Sequence, residues 1–355
     1  MARGFAIRRS EHACVLQAAM RVASPGQSLE SLVATTVRAV LESASLKPDA
    51  IDAVVALGNE QVDGGISPLL MAEAACGLGR SYLFVTGSSG DALHSGLSLV
   101  RSRMASIALV VGWSQSTRLS FDDVAAISTD PLFHQPLGLG AAGLAAMHSA
   151  QLAWDRLIDL RELGRYAETM RARRRSDRSL QGARIVRSGA SSTAAGRRRR
   201  HAGPDRVDRA TAILLSPSGS STRISGFATT RRDLVPADDD PAVWLGETLR
   251  LLDDGGSKPI ARGTVVEIGS PAPHAEFRAL HALGLGDEWA TRPGFNRHGG
   301  GFAAYGGAAD GLARVASVFE AVEPNGAGRS EGIAIEMSGP LGQSISAIRL
   351  VADVG

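Results

Sequence analysis

Two serines stand side by side in VTGSSGDALH, residues 85–94, where an apolar segment (Tyr82, Leu83, Phe84) turns through small residues into a helical pattern. A sharp strand-to-helix turn is a common mount for a nucleophile, because the helix N-terminus favours negative charge. Ser88 and Ser89 are the hydroxyls on offer, and an attacking serine needs an adjacent base. The competing reading is that both satisfy backbone groups at the turn. A second glycine-rich turn, GGGFAAYGGAADG from Gly299, precedes another helical pattern and is flanked by His298 and Tyr305. A histidine there can act as acid or base, and a tyrosine can polarise a carbonyl; as packing residues they would do neither. His94, further along the first helix, reads as a packing or surface residue. His274 and His281 are spaced to share a helix face, but two histidines without a third ligand make a poor metal site.

The elements that must position these residues come from a chain of 355 residues, 44% hydrophobic and 21% charged, with a net charge of +2. That length suits two fused units with a substantial core. Two distant cysteines, Cys14 and Cys76, do not make a disulfide framework, so both read as buried thiols in a reducing cytoplasm. The N-terminus lacks the apolar core of a signal peptide, and no stretch approaches a membrane span. A soluble cytoplasmic protein is expected.

Helical spacing of Leu29, Leu32, Val33, Val37, Val40 and Leu41 predicts a helix over 27–45. Strands follow at 52–58 and 107–112, with helices over 68–77 and 92–104. The C-terminal part repeats the alternation, with strands at 210–216, 263–269, 332–337 and 345–351. Its helices are predicted over 241–252, 275–283 and 310–321. Alternating helices and buried strands imply sheets covered on both faces, and glycine turns in corresponding places suggest an internal duplication. Between the halves, 135–154 and 157–171 look helical. From Arg171 to Arg200 there are eleven arginines against one aspartate. Such a run is either a solvated loop or a phosphate-binding surface, since guanidinium forks suit phosphate oxygens. Nucleic-acid binding is not indicated, because stacking aromatics are missing.

Five segments in order carry a resemblance: SGDALHSGLSLVRSRMASIALVVGWSQST, DPLFHQPLGLGAAGLAAMHSAQLAW, VVEIGSPAPHAEFRALHALGL, NRHGGGFAAYGGAADGLARV and MSGPLGQSISAIRLV. Together they resemble the thiolase superfamily, nearest to its sterol-carrier-protein-type and archaeal-type members. The resemblance implies an α/β thiolase fold, with two duplicated βαβαβαββ halves in an αβαβα five-layer core plus an inserted loop domain. The halves would be residues 1–117 and 207–355, with the insertion at 118–206.

In that family a cysteine opens the turn before Ser-Gly and attacks an acyl thioester. Setting Ser89-Gly90 on that pair puts Gly87 at the cysteine position. A His or Asn follows the Val-Glu-Ile strand, and Gly269 stands there. The histidine that activates the cysteine falls on Gly306, or on Tyr305 if the register slips by one. Asn296, Gly299 and Gly300 fit the preceding Asn-x-x-Gly-Gly. The inserted domain lies over coenzyme A in the family, which gives Arg173 and Arg174 the phosphates of a coenzyme A thioester as candidate partners. No tightly bound cofactor and no metal are implied.

The expected activity is therefore that of a thiolase-like, acyl-CoA acyltransferase-family subunit, non-catalytic or atypical, paired with an active homologue in acyl thioester metabolism. The alternative is a reprogrammed, cysteine-independent acyltransferase or retro-aldol lyase using Tyr305, His298 and Ser88 or Ser89. Partners implied by the resemblance are a second copy or a thiolase-fold homologue, a zinc-ribbon and OB-fold acyl-CoA-binding protein, or an acyl carrier protein. Neither nucleic acid nor membrane is expected.

Overall fold

A computed structural model describes residues 3–7, 13–59, 71, 81–85, 87–118, 141–187, 204–232, 240–253, 260–322, 330–339 and 344–352. The expected helix over 68–77, with Cys76, and the segment 188–200 lie outside the described residues, as does 135–140; of 68–77 only Met71 is described.

The first half is built from β2 (Ala13–Val22), α1 (Leu29–Ser43), β3 (Ala53–Leu57), β4 (Ser81–Val85), α2 (Ser89–Arg101), β5 (Ala108–Gln115) and β7 (Arg206–Ser216). Its strands lie in the order β4-β3-β5-β7-β2. The first three are parallel, and β7 and β2 are antiparallel additions. The second half repeats this with β8 (Thr222–Arg231), α5 (Pro241–Leu252), β9 (Val265–Gly269), α6 (Pro273–Ala282), α8 (Asp310–Val322), β10 (Ser330–Ser338) and β11 (Ser344–Ala352). Here the order is β9-β10-β11-β8, with β9 and β10 parallel and the others antiparallel.

Counted within each half, the orders are third-second-fourth-fifth-first and second-fourth-fifth-first. The third place in the second half is held by a single parallel bridge, Val266 to Phe295. The duplication expected from the glycine turns is thus a duplication of topology. The halves meet where β2 pairs with β8 through Ala13–Ile224 and Cys14–Arg223, and β1 (Arg3–Ile7) pairs with β8 next to that junction.

Period-two alternation sorts the central strands between layers. Leu109 and Val111 of β5 pack with α1, whereas Ala108 and Val110 pack with Leu93, Leu97 and Val100 of α2. The same middle layer holds Leu312, Val315 and Phe319 of α8. On the far face of the second sheet lie Trp244 and Leu245 of α5 and Phe277 and Leu280 of α6. The layers run α1, sheet, α2 with α8, sheet, α5 with α6. Strands covered on both faces read as continuous apolar runs, as AVVAL and ALVV do.

Between β5 and β7 the chain supplies α3 (Ala141–Trp154), α4 (Leu160–Ser176) and the short β6 (Ile185–Val186), which pairs with Arg206 and Val207. Leu163, Tyr166 and Met170 of α4 join the outer core of the second half. Among the described residues no helix is long and apolar enough to cross a membrane.

Candidate functional site

The VTGSSGDALH turn is a helix cap. Ser88 is the N-cap of α2, and Ser88 and Asp91 form a reciprocal capping box. Asp91 accepts from Ser88 N at 2.8 Å and from Ser88 Oγ at 3.0 Å, which satisfies donors that a helix start otherwise leaves unpaired. Arg231 closes an ion pair on the same carboxylate. Ser89 is fully buried and donates its hydroxyl to the carbonyl of Ala308 at 2.7 Å. Both serines are held as structural donors, and neither is described with a basic partner.

The next two amides of the turn point at Glu336 of β10. Ser89 N and Gly90 N donate to its two oxygens at 3.2 and 3.0 Å. A carboxylate on a helix N-terminus is favoured by the macrodipole. Burial nevertheless pushes Glu336 up to about 7, against the pull of the two amides. The positive end of α2 therefore already faces a carboxyl group from the chain itself.

Behind the turn lies a chain of buried charges. Arg209 of β7 donates to Asp310 at 2.7 Å, and Arg314 donates to the same oxygen at 3.2 Å. Arg314 also lies 3.5 Å from Glu267 of β9. All four side chains are buried, two of each sign. Burial lowers Arg209 to about 10. It acts the same way on Arg314, but Asp310 and Glu267 outweigh it and raise that group. A buried chain of this kind offsets desolvation only while each charge keeps its opposite neighbour.

This network occupies the space beside two of the three glycines that the resemblance sets at catalytic positions, Gly269 and Gly306; Gly87 has Asp91 beside it. A Cβ on Gly269 would lie 2.5 Å from Asp310 Oδ2 and 3.1 Å from Arg314 Cγ. On Gly306 it would lie 2.9 Å from Arg209 Cδ, and on Gly87 it would overlap the Asp91 carboxylate. Only the absence of a side chain at these positions lets the charged groups close in. Gly306 N donates to Asp310 Oδ1 at 3.4 Å.

A second buried cluster holds the Asn-x-x-Gly-Gly segment. Asn296 Oδ1 accepts from Ile268 N at 2.7 Å, and its Nδ2 donates to Tyr166 Oη at 3.2 Å. Tyr166 donates to Glu276 at 3.0 Å, and Glu276 also accepts from Ser270 N, Gly301 N and Phe302 N. Burial raises Glu276 to about 8 and Tyr166 well above its usual range. Gly299, at φ +92°, is left-handed, and a Cβ there would strike the carbonyl of Met170. A Cβ on Gly300 would strike Glu276 and Asn296. Asn296, Gly299 and Gly300, expected at a substrate, are here packed on protein.

The arginines expected at phosphates are held by protein as well. Arg174 is buried and donates to Asp205 at 2.9 Å and to the carbonyl of Ala303 at 3.2 Å. Arg173 donates to the carbonyls of Phe295, Trp289 and Ala290. The reason is positional: both lie in the last turn of α4, over the start of α7 (Gly300–Ala303) and the loop before it. A charge run read in one dimension conceals carbonyls brought in from a hundred residues away.

His298 and Ser88 are each held by a separate carboxylate, Asp177 and Asp91. His298 Nδ1 pairs with Asp177 Oδ2 at 2.8 Å. Tyr305 bridges to Arg206 through its backbone, and burial first, with Asp310 and Glu336 next, raises its phenol. His94 stacks on Phe227. His274 is buried at the start of α6, while His281 is exposed near its end. The partner of His274 is His148 of α3, with ring nitrogens 3.0 Å apart. Among the described residues no group of three or more His, Cys, Asp or Glu could hold a metal.

Sequence reasoning missed Arg209, Glu267, Glu276, Asp310, Arg314 and Glu336. For Arg209, Glu267 and Glu336 the signal was present as single charges inside otherwise apolar segments, RATAILL, VVEIG and IAIEM. A lone charge in such a segment is buried with a partner.

Comparison with solved structures gives the class of fold. Human mitochondrial 3-ketoacyl-CoA thiolase matches with a TM-score of 0.67 and 14% identity, covering 97% of this chain and 99% of that one. The same enzyme in complex with CoA matches with a TM-score of 0.67 over 99% and 100%. The chain has the thiolase fold. In sequence, β-ketoacyl-[acyl-carrier-protein] synthase III of Cereibacter sphaeroides is 33% identical over 156 residues, 42% of this chain and 47% of that protein. Proteins of the same name from two further strains are 33% and 32% identical. The matched region thus spans about half the length of these relatives. No known family's sequence profile matches the chain.

Proposed function

We propose that this chain is a thiolase-superfamily, acyltransferase-like subunit that is catalytically silent at its own thioester seat. It would act in the cytoplasm by pairing with a catalytic homologue in acyl-CoA or acyl-carrier-protein metabolism. The observation that carries the reading is the filling of the seat. Asp91, Asp310, Arg314 and Arg209 stand where side chains on Gly87, Gly269 and Gly306 would have to go, and Glu336 takes the amides at the start of α2.

Acyl transfer by the family's chemistry needs a thiolate on that helix N-terminus and an imidazole to deprotonate it. Neither group is supplied by glycine. The likeness to thiolases and to a synthase of acyl-carrier-protein substrates supports an acyl thioester as the ligand class, with coenzyme A or a carrier protein as its handle. It supports no pocket of this chain as the reacting one.

The test assays the purified full-length chain for thiolysis of acetoacetyl-CoA and for condensation of acetyl-CoA with a malonyl thioester. The chain alone is expected to be inert, and to copurify with an intact thiolase-fold homologue when expressed with its own genome's complement. Turnover by the chain alone, abolished by Tyr305→Phe or His298→Ala, would overturn the reading.

A further inference from the structure

The last strand of the first sheet, β2, has an open edge. It pairs with β7 from Cys14 to Val22, but with β8 only at Ala13 and Cys14. Among the described residues no strand covers the outer edge of β2 beyond that junction. A groove of about 830 Å³ runs there, lined by five consecutive residues of β2, Ala18 to Val22. Side chains of a strand point alternately to its two faces; Ala18 packs with the layer of α2 and α8, and Ala19 packs with the layer of α1. A groove lined by both kinds lies along the edge of the strand, where alternate N–H and C=O groups point outward.

The internal duplication shows how such an edge is filled. Past the same junction, at Arg223 and Ile224, the outer edge of β8 is taken by β1, with Arg3 to Ile7 antiparallel to Arg231 to Phe227. Ala18 to Val22 stand at the matching place on β2. The chain before β8 cannot supply a counterpart of β1, because Arg206–Ser216 already forms β7 on the inner edge of β2. The exposure of β2 follows from this. Although helices cover both faces, Leu16 to Met20 and Val22 are only half-buried, and Arg21 is exposed.

The slot has the dimensions and walls of a strand site. Five extended residues span roughly 17 Å, an ordinary strand length. One wall is Leu32, Thr35 and Ala39 of α1, and the other is Ala316, Ser317 and Glu320 of α8. Thr35 donates its hydroxyl to the carbonyls of Ser31 and Leu32 in its own helix, so the α1 wall offers apolar surface. The α8 wall carries the exposed carboxylate of Glu320. Among the lining residues two carboxylates, Asp177 and Glu320, stand against one arginine, Arg21, a balance that suits a basic ligand.

We propose that the open edge of β2 docks an extended segment of a partner protein, which adds to the sheet antiparallel to Ala18–Val22 as β1 adds to β8. The segment turns apolar side chains to α1 and a basic side chain to Glu320. Main-chain hydrogen bonds supply its affinity, and the two walls supply its selectivity. No residue of the Gly87 turn lines the slot, so the proposal is independent of the silence of the thioester seat.

The probe is a dye-labelled synthetic peptide of residues 1–12, which is basic and contains the strand that fills the matching edge of β8. Fluorescence anisotropy with the full-length chain should show saturable binding. Hydrogen exchange followed by mass spectrometry should slow at Ala18 to Val22 and stay unchanged at Phe227 to Arg231. Two N-methylated probes, one blocked at Arg3, Phe5 and Ile7 and the other at Gly4 and Ala6, separate backbone pairing from side-chain contact. Only one of them carries its methyl groups on the edge that meets β2, so it should bind roughly tenfold more weakly than the other, or worse. Glu320→Lys, a change at an exposed position, should weaken binding of the unmodified probe by about threefold. Ala39→Phe, with its fold checked by circular dichroism, should abolish binding by filling the slot. Absence of saturable binding, slowed exchange at Phe227 to Arg231 in place of Ala18 to Val22, or equal binding of the two methylated probes overturns the proposal. Unchanged binding by Glu320→Lys or by a folded Ala39→Phe overturns it too.

Discussion

Replacing Asp310 with asparagine removes the carboxylate that Arg209 and Arg314 share. The shape is kept, while two buried guanidiniums lose the carboxylate they share, and Arg314 keeps Glu267 at 3.5 Å. Removing one partner from a buried ion pair costs about 3–5 kcal/mol, because an uncompensated charge stays in the interior. For 355 residues the unfolding entropy is about 0.7 kcal/mol/K, so this loss lowers Tm by about 4–7 °C. Differential scanning calorimetry of Asp310→Asn beside the wild type reads the shift. Adding Arg209→Met, which takes away one orphaned charge, should recover part of it. An Asp310→Asn Tm indistinguishable from wild type would refute the claim that this network holds the middle of the molecule together.

Restoring a histidine by Gly306→His should destabilise the chain by about 1–3 kcal/mol through overpacking on Arg209, read as a lower denaturant midpoint; an unchanged midpoint would mean the space is open. Glu336 titrates near 7 in the folded chain, above its ordinary value of 4.5. A raised acid contributes stability that is complete below about 4.5 and lost as pH rises through 7, on the order of 3 kcal/mol. Glu336→Gln should therefore show a flatter loss of stability between pH 5 and 8 than wild type, and parallel profiles would contradict this. His274 is lowered to about 3, first by burial and then by His148, so its contribution is present above 6.5 and lost as pH falls towards 3. His274→Leu should lessen the destabilisation seen between pH 6 and 4 in acid titrations followed by tryptophan fluorescence. An unaltered acid limb would remove His274 from the account.

The fold was largely legible in the sequence because its strongest signals are local. Helical spacing located α1, and a proline at the first position located α5. Continuous apolar runs located β3, β5 and β9. Among the strands left unread, β2 (ACVLQAAMRV) and β8 (TRISGFATTR) show no sustained alternation, since their sides differ in cover along their length. The candidate site was legible only as three glycines at positions to which the resemblance assigns reactive side chains. What fills those absences comes from elsewhere in the chain: Arg209 lies 101 residues before Asp310, and Glu336 lies 247 residues after Ser89. No spacing rule joins such residues. His148 and His274, 126 residues apart, escaped for the same reason.

The central claim is that the turn VTGSSGDALH caps a helix and carries no nucleophile. The direct measurement is intact-mass and peptide-mapping mass spectrometry of the full-length chain after incubation with acetyl-CoA. The account predicts no acetyl adduct on the peptide that contains Gly87, Ser88 and Ser89. An adduct on Ser88 or Ser89, lost in the corresponding alanine variant, would contradict it.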